Sequence, residues 1–283
     1  MMTTILTGDC RDILPTLESR SVQCVVTSPP YFGLRDYGVE GQIGLEPTVE
    51  AYVAEMVVVF AEVRRVLRND GTLWLNLGSS YGPDKQLIPV PWLVALALQA
   101  NGWTLRSDII WSKPNPIPES VTDRPTKAHE YLFLLTKSPR YFYDAKAIAE
   151  PSIDNRTYPT WEERKAGGEP VRRADPGASG YVNRGSGMGR NGETRNKRSV
   201  WTIATQSTKE AHFATFPEKL VEPCILAGSR PGDTVMDPFA GSGTTMAVAS
   251  RLGRHGVGIE LNPTYVPMIE RRTAQQSLEM VAS

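Results

Sequence analysis

The sequence predicts an α/β fold, a doubly wound and mostly parallel sheet, on three observations. Short β-branched runs alternate with stretches of helical period, as where Val22–Val26 is followed by Val49, Tyr52, Val53, Met56, Val57, Phe60, Val63 and Leu67. Two runs, Val25-Val26-Thr27 and Val235-Met236-Asp237, end in loops of unusual chemistry: Ser28-Pro29-Pro30-Tyr31 and Pro238-Phe239-Ala240-Gly241-Ser242-Gly243. Open parallel sheets carry their ligand loops at the carboxyl ends of strands, where such endings fit. Finally, the run His255–Ile259 ends at Glu260, about 20 residues past the glycine turn, where an acidic side chain can take both hydroxyls of a ribose. The 283 residues suffice for one large domain or a domain with an insert.

Composition narrows the function classes. Lys plus Arg and Asp plus Glu each number 31, so any attraction to phosphate must come from local clustering. Cys10, Cys24 and Cys224 are odd in number and lack C-x-x-C spacing, which points to a reducing compartment and away from structural zinc. His129, His212 and His255 are scattered, and no metal site is expected. No charged leader precedes an apolar core, and the apolar stretch Leu87–Ala100 is short and proline-broken, so a soluble cytoplasmic protein is expected.

In chain order, Thr3–Thr7 reads as a strand ending at Gly8-Asp9-Cys10, with a helix over Arg11–Leu17. Asp9 sits where α/β sheets bind ligands, and it equally suits the N-cap of that helix. Val22–Val26 delivers the proline loop, whose fixed φ angles point carbonyls outward. A carbonyl, the Ser28 hydroxyl and the Tyr31 ring suit the –NH2 group and flat face of a planar base; a proline-rich strand terminus is the plain alternative. Phe32–Gly38 is glycine-hinged, with Arg35 in reach of a phosphate or simply on a surface connection. A core helix then runs from Thr48 to Leu67, stopped by Asn69-Asp70-Gly71, with a strand at Thr72–Leu77 whose end, Gly78-Ser79-Ser80-Tyr81, could line a pocket or simply form a turn. Pro89–Gln99 is an apolar helix and Trp103–Trp111 a strand running into Ser112-Lys113-Pro114. Glu130–Lys137 is a buried strand that Arg140–Tyr143 continues or folds back on.

Between Pro151 and Ser199 the chain holds ten Arg or Lys, six Asp or Glu, many glycines and almost no apolar period. This reads as a long insert that orders on a partner, with Arg172, Arg173, Arg184, Arg190, Arg195, Lys197 and Arg198 suited to phosphates and base edges; a solvated linker is the alternative. A helix with Pro217 near its first turn reaches Gly228. Cys224 within it reads as a small buried residue. Thr234–Asp237 is a strand, Thr244–Leu252 a helix, His255–Ile259 a strand, and Asn262-Pro263 opens a last helix to about Met280. Because no Lys follows Gly243, the glycine turn is not a nucleotide-triphosphate loop.

Ser28-Pro29-Pro30-Tyr31, about 200 residues before Asp237-Pro238-Phe239-Ala240-Gly241-Ser242-Gly243-Thr244-Thr245, resembles the permuted (beta-class) DNA amino-methyltransferases that modify cytosine N4 or adenine N6. The resemblance spans the chain outside residues 150 to 200. It implies a seven-stranded Rossmann-like methyltransferase fold with a DNA-recognition insert: residues 1–150 as the catalytic half, 151–199 as the target-recognition insert and 200–283 as the cofactor half. It implies S-adenosylmethionine as methyl donor, bound by Asp9, Cys10, Phe216, Pro217, Asp237, Pro238, Phe239, Gly241, Ser242, Gly243, Thr244, Thr245 and Glu260. Ser28, Pro29, Pro30 and Tyr31 would be catalytic. Arg35, Trp111 and Lys113 would join the insert's basic residues on double-stranded DNA, Trp111 by stacking unless it is simply buried. Ser at the head of the tetrapeptide goes more often with cytosine N4 in that family, with adenine N6 the alternative. A companion restriction endonuclease and a monomer or homodimer are compatible with it. A nicotinamide-dependent oxidoreductase would share the glycine turn and Glu260, and a non-catalytic DNA-binding module would use the insert alone, but neither gives the proline loop a task; methylation of RNA or protein is more distant.

Overall fold

A computed structural model describes residues 2–152, 194–206 and 216–281, with side chains described to residue 274. In chain order the elements are β1 (Thr3–Thr7), α1 (Cys10–Ile13), β2 (Val22–Thr27), α2 (Val49–Val66), β3 (Leu67–Leu77), β4 (Ser80–Tyr81), β5 (Leu87–Ile88), α3 (Val90–Ala100), β6 (Thr104–Ser112), β7 (His129–Thr136), β8 (Glu150–Pro151), β9 (Thr194–Arg195), β10 (Val200–Thr202), α4 (Glu218–Gly228), β11 (Thr234–Asp237), α5 (Thr244–Arg251), β12 (His255–Glu260) and α6 (Val266–Val281). They divide into two compact units, Ile148–Lys197 and the remainder. In the smaller, β8 pairs antiparallel with β9, and Arg195 Nε meets Glu150 Oε1 at 3.0 Å.

The larger unit holds a central sheet of order β1-β12-β11-β2-β3-β7-β6-β10, in which β7 is antiparallel to both its neighbours and every other pairing is parallel, and a small antiparallel β4-β5 ribbon. The expected sheet had seven strands. The eighth is the three-residue edge strand β10, too short for an apolar period, held by Trp201 buried beside Trp111 of β6. All six residues of β2 are buried, as a parallel strand covered on both faces requires.

α2 begins where expected, with Thr48 Oγ1 accepting from Ala51 N at 3.2 Å, and buries Tyr52, Met56, Phe60 and Val63 on one stripe. Its end corrects the expected stop: Leu67 passes straight into β3, so Asn69-Asp70-Gly71 lies inside the strand. A register shift between Val22 and Cys24 absorbs the irregularity, and a Cβ on Gly71 would stand 2.8 Å from the Gln23 carbonyl oxygen. Arg140–Tyr143 forms no strand; the Phe142 N–H instead donates to the Asp70 carbonyl at 2.8 Å. In α4, Cys224 is fully buried and its thiol donates to the Leu220 carbonyl. Among the described residues no helix is long and apolar enough to cross a membrane.

Candidate active site

Strand order reverses at the β11/β2 pair: β3, β7 and β6 lie outward from β2 on one side, and β12 and then β1 lie outward from β11 on the other. Loops after strands on either side of such a reversal diverge and leave a crevice at the carboxyl edge. A cavity of about 640 Å³ opens there, lined on one side by Ser28, Pro29, Pro30 and Tyr31 and on the other by Pro238–Ser242 and Glu260. Gly8 and Asp9 after β1, Asn76 near the end of β3, Trp111 and Lys113 at the end of β6 and Glu130 at the start of the antiparallel β7 reach the same edge.

The proline loop is braced from below. Tyr52 donates its phenol to the Pro30 carbonyl at 2.9 Å, so α2 sets the loop's height. Tyr31 lies against Gly78, where a Cβ would come within 2.6 Å of the ring's Cε2. Its hydroxyl is 2.7 Å from Glu130 Oε2, and Asn76 Nδ2 reaches that hydroxyl at 2.7 Å, the same Glu130 oxygen at 2.9 Å and Ser28 Oγ at 3.3 Å. Burial, and then the charge of Glu130, push the Tyr31 phenol well above its ordinary pKa, so it stays protonated. Lys113 Nζ binds the other Glu130 oxygen and sits 4.3 Å from the centre of the Trp111 ring. Sheet register explains the cluster: Asn76 is paired with Leu132, whose face Glu130 shares two residues away, and Glu130 is paired with Trp111, whose face Lys113 shares.

On the opposite wall, Glu260 Oε2 accepts from Gly241 N at 2.7 Å and Oε1 from Asn262 N at 2.8 Å. Burial raises the Glu260 pKa above the usual carboxylate value, and those two N–H groups oppose the rise. Asp9 caps α1 through Arg11 N at 2.8 Å and pairs with the Arg11 guanidinium at 2.6 Å, which also holds the Gly41 carbonyl. Burial alone would raise the Asp9 pKa; the Arg11 hydrogen bonds outweigh it and lower it. Asp9 is thus a helix cap that also lines the cavity. Arg272 of α6 reaches Ser242 Oγ at 3.1 Å and Thr244 Oγ1 at 3.0 Å while paired with Glu218, clamping the glycine turn.

Of the residues expected at a cofactor, Asp9, Cys10, Phe216, Pro238, Phe239, Gly241, Ser242, Thr244 and Glu260 line the cavity. Pro217, Asp237, Gly243 and Thr245 do not. Pro217 is the N-cap of α4. Gly243 takes φ +78° with Ile269 packed where its Cβ would be. Asp237 is fully buried and ties three segments together, accepting from Thr27 Oγ1 at 2.6 Å, Phe239 N at 3.0 Å and Thr245 Oγ1 at 2.9 Å. The family resemblance implied a cofactor contact for it, but its oxygens face inward, joining β2 to β11.

Of those expected on DNA, Arg35 lines the cavity, Trp111 is buried with Nε1 on the Ile203 carbonyl, and Lys113 is turned onto Glu130 rather than outward toward a phosphate. Arg195 is paired with Glu150 and, like Lys197, belongs to the smaller unit; Arg198 belongs to the larger one and does not line the cavity. Arg172, Arg173, Arg184 and Arg190 lie outside the described residues. Sequence reading missed Asn76 and Glu130; Gly78, expected to line the pocket or form a turn, instead seats the Tyr31 ring. Asn76 is one polar residue in an apolar strand, the only signal it offered.

A DNA methylase family model, N6/N4 type, matches residues 22–271, which include the proline loop, the glycine turn and the strands between them. The chain belongs to this family. Among relatives of this methylase, the type II methyltransferase M.XycI of Xanthomonas campestris pv. cyanopsidis is 44% identical over 98% of the chain and 90% of its own length. M.SmaI of Serratia marcescens is 42% identical over 95% and 89%. A Thermus thermophilus protein solved in complex with S-adenosyl-L-methionine is 26% identical, with TM-score 0.64 over 98% of this methylase and 96% of that chain. PvuII DNA methyltransferase (cytosine-N4-specific) shares the fold at TM-score 0.70, with 21% identity over 96% and 86%. The methylase is thus an enzyme of the type that modifies exocyclic amines of DNA bases.

Proposed function

We propose that this methylase transfers a methyl group from S-adenosylmethionine to the N4 amine of a cytosine extruded from double-stranded DNA. The observation that carries the reading is the shared cavity: the rigid Ser28–Tyr31 loop and the Pro238–Ser242 loop face each other across one cleft. Its volume of about 640 Å³ lies within the range of small-molecule sites.

The donor set suits the cofactor. Glu260 retains lone pairs for a ribose diol, and Asp9, Phe216, Phe239 and Gly241 offer acceptors, flat rings and close backbone to a nucleoside. When bound, S-adenosylmethionine supplies a sulfonium-activated methyl group. The chain supplies position and electrostatics. Ser28 Oγ and the Pro29 carbonyl accept the two amine protons, which favours a pyramidal nitrogen and offsets the positive charge that develops on it. The Tyr31 ring stacks on the extruded base, worth about 1–3 kcal/mol against an extrusion cost of a few kcal/mol. No general base is required before attack; the amine nitrogen forms the N–CH3 bond as the S–CH3 bond of the sulfonium breaks, and the cationic methylated amine then gives up one proton to solvent.

The choice of cytosine rests on Ser28 at the head of the loop. Arg35 and the basic residues Arg172, Arg173, Arg184, Arg190, Arg195, Lys197 and Arg198 supply the charge for duplex DNA. The type II names of the relatives support a restriction-modification setting; the reading adds a companion endonuclease, a place in the cytoplasm and a monomer or homodimer. Transfer of tritiated methyl to DNA, followed by nucleoside analysis, tests the reading. N4-methylcytosine is expected, and N6-methyladenine alone would overturn the choice of base.

A further inference from the structure

The transfer proposed above needs Ser28 to accept a proton from the amine, yet a serine hydroxyl can equally donate. If Ser28 turned its O–H toward the amine, it would occupy the lone pair that must attack the methyl group. Something has to set the direction of that hydrogen bond.

Three neighbours bear on it. An ionised Glu130 carboxylate has no proton to give, so the Tyr31 hydroxyl, 2.7 Å from Oε2, must donate to it. The Asn76 amide nitrogen is 2.9 Å from the same oxygen and must donate as well, which fixes the amide's orientation and aims its N–H groups also at Tyr31 Oη and Ser28 Oγ. Lys113, on the other carboxylate oxygen, balances the charge of a side chain only 16% exposed. With the phenol proton committed to Glu130, the Tyr31 oxygen is left as an acceptor, and Ser28 Oγ lies 3.4 Å away in position to donate to it. The chain of donation then runs Ser28 to Tyr31 to Glu130, and Ser28 shows only lone pairs to the cavity.

We propose that Glu130 is a positioning residue that sets this direction, acting on the amine through Tyr31 and Ser28; the proposal rests on the amine-methylation reading above. Glu130→Gln keeps the shape but brings an –NH2 group that can donate to Tyr31, releasing the phenol proton toward Ser28 and reversing the chain.

The test is a double-mutant cycle under single-turnover conditions, with tritiated S-adenosylmethionine and a duplex carrying the target. Glu130→Gln is expected to lower the methylation rate about ten- to a hundredfold, the effect of a hydrogen bond to a charged group, with KM for DNA unchanged within about twofold. In the Tyr31→Phe background, where the chain is already cut, the same substitution is expected to cost less than about threefold. Fluorescence of 2-aminopurine at the target position, read without cofactor, is expected to match between wild type and Glu130→Gln, since extrusion does not use the chain. Equal losses in both backgrounds, a loss confined to KM, or a changed fluorescence would each overturn the proposal while leaving the functional reading intact. A wild-type chain that moves no methyl group to DNA overturns both. Where thermal melting shows Glu130→Gln unfolded, Tyr31→Phe alone decides: the proposal expects a loss of similar size, and a full rate refutes it.

Discussion

Asp237→Asn is expected to shift stability in favour of the variant as pH rises. Thr245 Oγ1 lies 3.0 Å from the Val26 carbonyl and 2.9 Å from Asp237 Oδ2, and has one proton for two acceptors. The conflict disappears if Asp237 is protonated: its O–H donates to Thr245, and Thr245 donates to Val26. Burial accordingly pushes the Asp237 pKa from 3.8 to about 7, against the opposing hydrogen bonds from Thr27, Phe239 and Thr245. A carboxyl that holds its proton more tightly folded than unfolded contributes stability that is fully present below about pH 4 and is lost as pH rises through about 7. The displacement from 3.8 to about 7 sets the loss at no more than about 4 kcal/mol. Asparagine keeps a donor for Thr245 at every pH, its Oδ1 accepting from Thr27 and Phe239 and its Nδ2 donating to Thr245, while its second N–H adds a cost that does not change with pH. Urea denaturation of the two proteins at pH 4.5, 6 and 8 should show a gap in unfolding free energy that moves toward Asn by about 2–4 kcal/mol from the acid to the alkaline end. A gap independent of pH, or one that moves toward Asp as pH rises, would refute the reasoning.

Three further outcomes follow from the same geometry. Gly78→Ala forces a methyl to 2.6 Å from the Tyr31 ring, so single-turnover methylation should fall at least about tenfold while stability drops by only about 1–3 kcal/mol; unaltered kinetics would show that the ring's seat does not matter. Tyr52→Phe removes the bond to the Pro30 carbonyl and should cost about 1 kcal/mol in denaturant unfolding, together with a reduced kcat; a loss in KM alone would argue that the loop is held elsewhere. Glu260→Gln sets an –NH2 group against one of the two backbone N–H donors now satisfied, so calorimetry should show S-adenosylmethionine affinity reduced about ten- to a hundredfold with DNA affinity retained; equal cofactor affinity would remove Glu260 from that wall.

Much of the fold was legible because period and punctuation agree locally. Thr48 and the stripe from Tyr52 to Val63 mark α2 at its start and along its length, and Asn262 opens the last helical segment by accepting from Thr264 N at 3.0 Å. What failed was decided by pairing across the sheet. Asn69-Asp70-Gly71 looks like a helix stop followed by a turn, but β2 pairs with Leu67 before it and Thr72 after it, so it becomes an irregularity inside β3. Val200–Thr202 has too few residues to show a period and becomes a strand only because β6 offers an edge.

The site divides in the same way. Loops whose chemistry is carried by consecutive residues, Ser28–Tyr31 and Pro238–Ser242, could be read from the sequence as site loops. The cluster around the Tyr31 hydroxyl could not, because Asn76, Lys113 and Glu130 come from three strands whose register alone brings them together. Asp237 erred in the other direction: a carboxylate at a strand end looks the same in sequence whether it faces a ligand or a neighbouring strand.

The most direct measurement is a structure of this methylase bound to S-adenosylmethionine and a duplex carrying its target. The cofactor should lie against Pro238–Ser242 and Glu260, with its methyl carbon facing an extruded cytosine amine held by Ser28 and the Pro29 carbonyl. A cofactor outside this cleft, or a target base still stacked in the helix with the methyl group out of reach, would contradict it.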